Sequence, residues 1–162
     1  MGKSGKKWEK VEGSVLNLLT GEYRNTLDEK GRIMFPSKLR SAINGNVLVA
    51  THAFDNCLWL FTPAEWQNVS SKLIEHSSLF SGGNRFVLRK FIAPAQEIEF
   101  DKSGRISIPM SLRESANLSK DCIILGVQKY VELWDVDSYN AYMTESETTL
   151  KSAVEELSSI CF

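Results

Sequence analysis

A chain of 162 residues with 43% hydrophobic and 24% charged residues has the composition of a globular protein, which excludes a disordered or fibrous chain. The formal net charge of −1 excludes a uniformly basic nucleic-acid-binding protein, so any basic surface has to be local. Three cysteines without C-x-x-C spacing and only two histidines favour reduced thiols in a cytosol, and predict neither a disulfide framework nor a metal or cofactor site.

The first twenty residues form a basic segment with four lysines. A secretory signal needs about 7 to 15 consecutive apolar residues, and here Glu12, Gly13 and Asn17 interrupt the apolar positions. The chain also lacks the 18 or so consecutive apolar residues of a membrane span. Residues 1–20 are therefore expected to be an N-terminal extension of a cytoplasmic protein.

The first predicted unit, residues 21–68, begins with a strand that enters a tight turn at Asp28 and leaves it at Arg32. Gly31 supplies the positive φ that such a turn requires. Pro36 then favours the start of a short helix, because proline lacks the N–H that a strand or helix interior needs but suits the first helical turn. The elements predicted after the turn are a helix over 36–43 and strands over 47–50 and 57–61.

The clearest helix start in the sequence comes next. Thr62 is predicted to cap this helix, and Glu65 to reach back to it in a capping box. Residues 77–84 then indicate a turn, and Arg85–Ile92 reads as a basic amphipathic stretch. Residues 69–95 are therefore predicted to link the first unit to a second.

The turn motif recurs 73 residues later, where Asp101, Gly104 and Arg105 repeat Asp28, Gly31 and Arg32. A repeat at a fixed offset indicates a duplicated structural unit. The second unit, residues 96–140, is predicted to contain a helix over 109–116, strands over 122–125 and 131–134, and a helix that Asp135 caps. Residues 141–162 are predicted to form an acidic C-terminal helix.

A unit of about 45 residues buries too little surface to be stable alone. The sequence therefore predicts an α+β, β-rich fold in which two tandem β-α-β-β units share one core around a pseudo-twofold axis, with both Gly-Arg turns on the same side. Large aromatic residues at the alternating positions are expected to pack in this core rather than to stack on bases. These residues are Trp59, Phe61, Trp66 and Trp134.

Arg32 and Arg105 are the principal candidate functional residues. A guanidinium binds phosphates and guanine edges through two parallel hydrogen bonds, whereas a salt bridge to Asp28 or Asp101 would fix the turn. Both interpretations hold if each Asp orients an Arg that contacts DNA. Further basic residues predicted to surround the motif arginines and bind phosphates are Arg24, Lys30, Lys38, Arg40, Lys102 and Arg113.

Charge is unevenly distributed along the chain. Residues 22–40 contain five basic and three acidic side chains, and residues 85–113 contain six and three. Residues 132–156 contain one basic and seven acidic side chains. Local basic surface is therefore available in spite of the low net charge. The acidic tail is expected to be a solvated helix, and the alternatives are an interface or a surface that excludes DNA.

The duplicated motif closely resembles the MraZ family of bacterial regulators, which carries an Asp-x-x-x-Arg motif in each of two tandem SpoVT-AbrB half-domains. The resemblance runs from about Gly21 to about Met143, about three quarters of the chain. It implies a swapped-hairpin or double-ψ β-barrel core. The family's motif residues fall on Asp28, Arg32, Asp101 and Arg105.

The resemblance also implies a function. It predicts sequence-specific binding to short tandem repeats in promoter DNA, and repression of a gene cluster for division and cell-wall synthesis. It predicts a ring-shaped homo-oligomer that is cytoplasmic and nucleoid-associated, without a membrane or small-molecule partner.

Two alternatives belong to other functional classes. The first is a ring-forming protein-interaction module that does not bind DNA. The second is a hydrolase in which Asp28 and Asp101 form a carboxylate pair. The enzyme is disfavoured because an Arg beside each Asp keeps it ionised, and because the sequence has no Ser-His, Cys-His or metal constellation. A non-enzyme is therefore expected.

Overall fold

The computed structural model describes residues 19–162, and the strands, helices and other features given below are those of this range. The first unit contains β1 (Leu19–Thr26), β2 (Arg32–Met34), α1 (Ser37–Ser41), β3 (Val47–His52) and β4 (Leu58–Phe61). The connection contains α2 (Pro63–His76), α3 (Gly82–Val87) and a π-helical turn (Leu88–Ile92). The second unit contains β5 (Gln96–Glu99), β6 (Arg105–Ser107), α4 (Met110–Ser115), β7 (Asp121–Gln128), β8 (Val131–Asp135) and α5 (Val136–Cys161).

The strands form one large sheet and one small ribbon. Six strands make an antiparallel sheet in the order β1-β7-β8-β4-β3-β5, and β2 pairs with β6 in a separate two-stranded antiparallel ribbon. The α+β, β-rich class is confirmed. Each unit has the order β-β-α-β-β, one strand more than predicted, because the three residues after each Gly form a strand of their own.

The two units exchange their first strands. β1 of the first unit pairs with β7 of the second, and β5 of the second pairs with β3 of the first. The central contact is β4 against β8, so the strand order is symmetric about this pair. The exchange gives each small unit a strand from the other, and the apolar faces of both units close over one core, as the pseudo-twofold prediction requires.

The ribbon covers the inner face of the sheet. Ile33 and Ile106 lie opposite each other at its centre, and each is only 1% exposed. They belong to one buried cluster with Ile124 and Leu133 of the sheet. Because side chains alternate along a strand, burial of these two isoleucines turns the neighbouring ribbon side chains outward.

The opposite face of the sheet holds an aromatic cluster that includes Trp59 of the first unit and Trp134 of the second. The carboxylate of Glu132 connects these two side chains. Trp59 Nε1 donates to one oxygen of Glu132 at 2.9 Å, and Trp134 Nε1 donates to the other at 3.0 Å. Trp134 and Phe61 are buried, and Trp59 and Trp66 are half-buried. The prediction that these aromatic residues pack in the core is confirmed.

The helix starts follow from their caps. Thr62 Oγ1 accepts the N–H of Glu65 at 3.3 Å, as predicted, but the Glu65 carboxylate accepts from Asn68 instead of completing a capping box. Ser81 caps α3 in the same way. The predicted turn over residues 77–84 is therefore wrong from Gly82 onward, because the Ser81 side chain satisfies a free N–H of a new helix.

The C-terminal helix is longer than predicted. Asp135 caps it as expected, and it then runs without a break to Cys161, so the helix of the second unit and the acidic helix of residues 141–162 are one element. At the other end, Leu19 and Thr20 of the predicted extension lie in β1, and the rest of that extension is outside the described residues. No helix in the described range is both long and apolar enough to cross a membrane.

Candidate nucleic-acid interface

The first turn is held by the carboxylate of Asp28. One oxygen of this carboxylate accepts the backbone N–H groups of Lys30 and Arg32, both at 2.9 Å. The other oxygen accepts Arg32 Nε at 2.7 Å. Gly31 closes the turn with φ of 77°. The Asp and the Arg therefore form a clasp across the turn, with the Arg oriented by its Nε.

The second turn repeats these contacts. Asp101 accepts the N–H groups of Ser103 and Arg105 at 2.8 and 2.9 Å, and Arg105 Nε at 3.0 Å. The pKa of Asp101 is lowered, first by the backbone N–H of Arg105, and the pKa of Asp28 is lowered by the backbone N–H of Arg32 in the same way. Both carboxylates are thus acceptors that remain ionised.

The ribbon brings both motif arginines to one surface. Arg32 lies opposite Ser107, and Arg105 lies opposite Met34. Since Ile33 and Ile106 point into the core, these four side chains lie on the outer face of the ribbon. Diagonal neighbours of this kind are about 7 to 8 Å apart. The predicted placement of both Gly-Arg turns on the same side is confirmed.

The terminal nitrogens of both arginines are available to a ligand. The hydrogen bonds of the Arg32 and Arg105 side chains involve Nε, and no described residue accepts from their Nη atoms. The Arg32 and Arg105 side chains are 31% and 34% exposed. An Arg held by Nε with two exposed Nη donors is preorganised to bind an external acceptor.

Each turn is also tied to the other unit through its glycine. The Gly104 carbonyl accepts the N–H of Phe35 at 3.1 Å, and the Gly31 carbonyl accepts the N–H of Ile108 at 2.9 Å. These two bonds extend the ribbon at both of its ends. The positions of the arginines are therefore fixed by contacts between the units as well as by the local turn.

The predicted lysines are exposed but do not occupy equivalent positions. Lys30 and Lys102 both lie in the turns, yet the 73-residue offset aligns Lys102 with Glu29 and Lys30 with Ser103. Lys38 is exposed on α1. The basic rim around the ribbon is therefore asymmetric although the arginines are symmetric.

Two other predicted phosphate-binding arginines are packed against the protein. The Arg40 guanidinium lies 4.1 Å from the ring centroid of Phe100, and its Nη1 donates to the Ile43 carbonyl at 3.2 Å. Arg113 Nε donates to the Ile108 carbonyl at 2.9 Å. These contacts give both side chains a structural role, and Arg113 lies directly over Gly31 of the first turn.

Arg24 lies apart from the ribbon. It pairs with Ile123 across β1 and β7, and Ile123 belongs to the aromatic cluster on the outer side of the sheet. The adjacent Tyr23 packs against the inner core that the ribbon covers. Strand alternation therefore puts Arg24 on the face opposite to Arg32 and Arg105.

Met34 and Ser107 are ribbon residues that sequence reasoning missed. Met34 is 44% exposed, and both side chains share the outer face with the motif arginines. Strand alternation could have identified both residues from the sequence. Met34 and Ser107 each follow a motif arginine by two positions, and such residues point to the same side of a strand.

Replacement of Gly31 by Ala should destabilise the protein more than replacement of Gly104. Both glycines have positive φ, which costs another residue about 1 to 2 kcal/mol. A Cβ on Gly31 would lie 2.5 Å from Arg113 Cζ, whereas a Cβ on Gly104 would meet Met34 Sδ at 3.7 Å. Gly31→Ala must also displace Arg113 and lose a hydrogen bond of about 0.5 to 1.5 kcal/mol.

Urea unfolding of the two variants measures this difference. We expect Gly104→Ala to lose only the backbone contribution and Gly31→Ala to lose about 1 kcal/mol more. Equal losses would mean that Arg113 moves away from the first turn without cost.

Comparison with known proteins agrees with this duplicated arrangement. Residues 18–90 and 91–159 each match the family model described as "MraZ protein" and "antitoxin-like". The chain belongs to the MraZ family. The junction between the two matches falls within residues 69–95, the segment predicted to link the units.

Curated MraZ proteins match over nearly the whole chain. A protein of Treponema denticola named transcriptional regulator MraZ is 54% identical over 144 residues, which cover 89% of this chain and 100% of that protein. Proteins of the same name from two strains of Treponema pallidum are each 48% identical over 145 residues, covering 90% of this chain and 97% of theirs. The resemblance to the MraZ family predicted from the motif is confirmed.

Proposed function

We propose that this member of the MraZ family is a transcriptional regulator that binds DNA through the outer face of the β2–β6 ribbon. The observation that carries the proposal is the pair of Asp-Arg clasps, which hold Arg32 and Arg105 on one face of the ribbon with their Nη donors free of acceptors among residues 19–162. The relatives from Treponema, which are named transcriptional regulator MraZ, support the same function.

The two-stranded ribbon is a type of element that can recognise bases. The major groove of B-DNA admits a two-stranded β-ribbon, and the most common specific contact there is an Arg that donates twice to guanine. Arg32 and Arg105 are related by the pseudo-twofold axis at Ile33 and Ile106. One chain would therefore present two equivalent guanidinium groups to the same groove.

The exposed lysines near the ribbon supply a different kind of contact. Lys30 and Lys102 extend from the turns that flank Arg32 and Arg105. Lysines in this position bind phosphates, which position a protein on DNA without reading sequence. Since Arg40 and Arg113 are engaged within the protein, we assign phosphate binding to the two turn lysines and to Lys38.

The biological setting is part of the proposal. We infer a homo-oligomeric ring that binds short tandem repeats in a promoter, represses a division and cell-wall gene cluster, and works in the cytoplasm at the nucleoid. A ring that carries one ribbon per chain matches a series of repeats better than one repeat, because linked sites bind with a high effective concentration.

The geometry does not favour a hydrolase. Asp28 and Asp101 precede the two strands of an antiparallel ribbon, so they lie near its opposite ends and do not face each other. Each carboxylate already accepts two backbone N–H groups and one guanidinium. A general acid needs a raised pKa, whereas the pKa of both groups is lowered.

DNA retardation with the protein's own upstream region tests the proposal. We expect cooperative binding to a fragment with three or more repeats, weak binding to one repeat, and a strong loss of affinity with rising salt. Equal affinity for one repeat and for three would contradict avidity. Absence of any retardation at low salt would favour the interaction module that does not bind DNA.

A further inference from the structure

The outer part of α5 has no partner within residues 19–162. Its first turns pack on the sheet through Tyr139 and Tyr142, whose rings lie 5.5 and 5.0 Å from the Trp134 ring. From Met143 onward every residue of the helix except Ser146 is exposed. At 1.5 Å per residue, this exposed part of α5 is about 28 Å long.

The exposed part of α5 nevertheless has an apolar face. Met143, Leu150, Val154 and Leu157 follow at intervals of seven, four and three residues, which places them on one side of the helix. They are 46 to 58% exposed. A helix without tertiary contacts is marginally stable in water, so an apolar stripe of this length indicates that another protein surface covers it.

The first unit shows how such a helix is covered. α2 and α5 are equivalent helices of the repeat, because their capping residues, Thr62 and Asp135, are 73 residues apart. The apolar side of α2 is partly covered by the connecting segment, and the Trp66 ring lies 5.4 Å from the ring of Phe91. No described segment lies on α5 in this way.

A groove of about 530 Å³ opens along α2 and α3. Val69, Leu73 and Val87 give it an apolar lining. Phe54 also lines the groove, and its side chain is 62% exposed. Contiguous exposed apolar surface of this kind marks an interaction site.

The charges of the helix and the groove are complementary. Residues 143–161 contain four glutamates and one lysine, so their net charge is −3. Residues 63–92 contain two lysines, two arginines and two glutamates, so their net charge is +2. Lys72, His76 and Lys129 line the groove, and Glu65 is the one acidic residue among its described lining residues. Pairing of two α5 helices would place two segments with a charge of −3 against each other. Electrostatics therefore favours binding of α5 to the groove over pairing of two α5 helices.

We propose that residues 143–161 of one chain occupy the α2–α3 groove of a second copy of this chain. The inference rests on the self-association in the proposed function, and it names the two surfaces. The groove is near Lys129, just before β8, and α5 begins after Asp135 at the other end of β8. Contact between two different surfaces continues from head to tail, and it closes into a ring when the rotation allows.

Light scattering of the full chain with single variants is the first test. The wild type should have the mass of a ring, and Leu157→Glu should have the mass of one chain, because it puts a charge on the apolar stripe. Ser152→Glu adds the same charge to an exposed position on the opposite side of α5 and should leave the ring unchanged. A wild-type monomer would overturn both the ring and this interface, whereas a ring that persists in Leu157→Glu would overturn the interface alone.

A mixing experiment then tests the head-to-tail direction. The double variant Lys72→Glu/His76→Glu reverses the groove charge at two exposed positions and should also fail to form rings. Leu157→Glu keeps a normal groove, and the groove variant keeps a normal α5, so a mixture of the two should form a species of two chains. If the groove variant assembles like the wild type, α5 pairs with another α5 or with a different surface, and the proposal is wrong.

Discussion

Arg32→Ala and Arg105→Ala should each weaken binding to the repeat-containing promoter while the fold and the oligomer stay intact. A lost bidentate contact between Arg and guanine costs about 1 to 3 kcal/mol, roughly 5- to 150-fold in affinity. Each ring repeats the substitution in every chain that touches DNA, so the losses should compound. Retardation at fixed salt and thermal melting have to be measured on the same preparations.

Arg24→Ala is the matched control for these variants. It removes the same charge from an exposed position on the face of the sheet that lies away from the ribbon. We expect its affinity for the promoter to equal that of the wild type, apart from the small decrease that the loss of one positive charge causes. The opposite result is also informative. Motif variants that melt early but bind DNA normally would make the clasp purely structural, and Lys38 would become the first candidate for DNA contact.

Phe91→Ala should produce a large loss of stability, about 3 to 5 kcal/mol. Phe91 is 1% exposed in the π-helical turn, and its ring lies 5.1 Å from Trp59 and 5.4 Å from Trp66. Its carbonyl accepts the hydroxyl of the buried Thr51 on β3. The substitution therefore opens a cavity where the connection between the units meets the sheet, and urea unfolding measures the cost.

Phe86→Ala is the control for this prediction. Phe86 lies five residues earlier in the same connection but is 62% exposed, so its removal should change the free energy of unfolding by less than about 1 kcal/mol. Similar losses in the two variants would mean that the connection is stabilised along its length and not through the Phe91 contacts.

The turns and the helix starts of this protein could be predicted from its sequence, because they depend on interactions between residues close together in the chain. The Asp-x-x-Gly-Arg turn contains its own hydrogen-bond partners, since the Asp28 carboxylate binds N–H groups two and four residues away. Thr62 and Asp135 cap helices by accepting N–H groups two or three residues further along the chain. The 73-residue repeat then predicted that two such units form one molecule. Interactions over a few residues are determined by residue type and spacing, so the sequence is sufficient for them.

The pairing of distant strands was decided only by the tertiary structure. Alternation along β1 places Tyr23 and Arg24 on opposite faces of the sheet, but it does not determine which of the two faces the ribbon covers. The pairing of β1 with β7 of the second unit determines this, and it puts Tyr23 on the covered face. Arg40 and Arg113 occupy equivalent positions of the 73-residue repeat, yet one packs on Phe100 and the other on Gly31. The sequence determined the turns, their arginines and the duplication. Packing between residues far apart in the chain determined which basic side chains remain exposed beside those arginines.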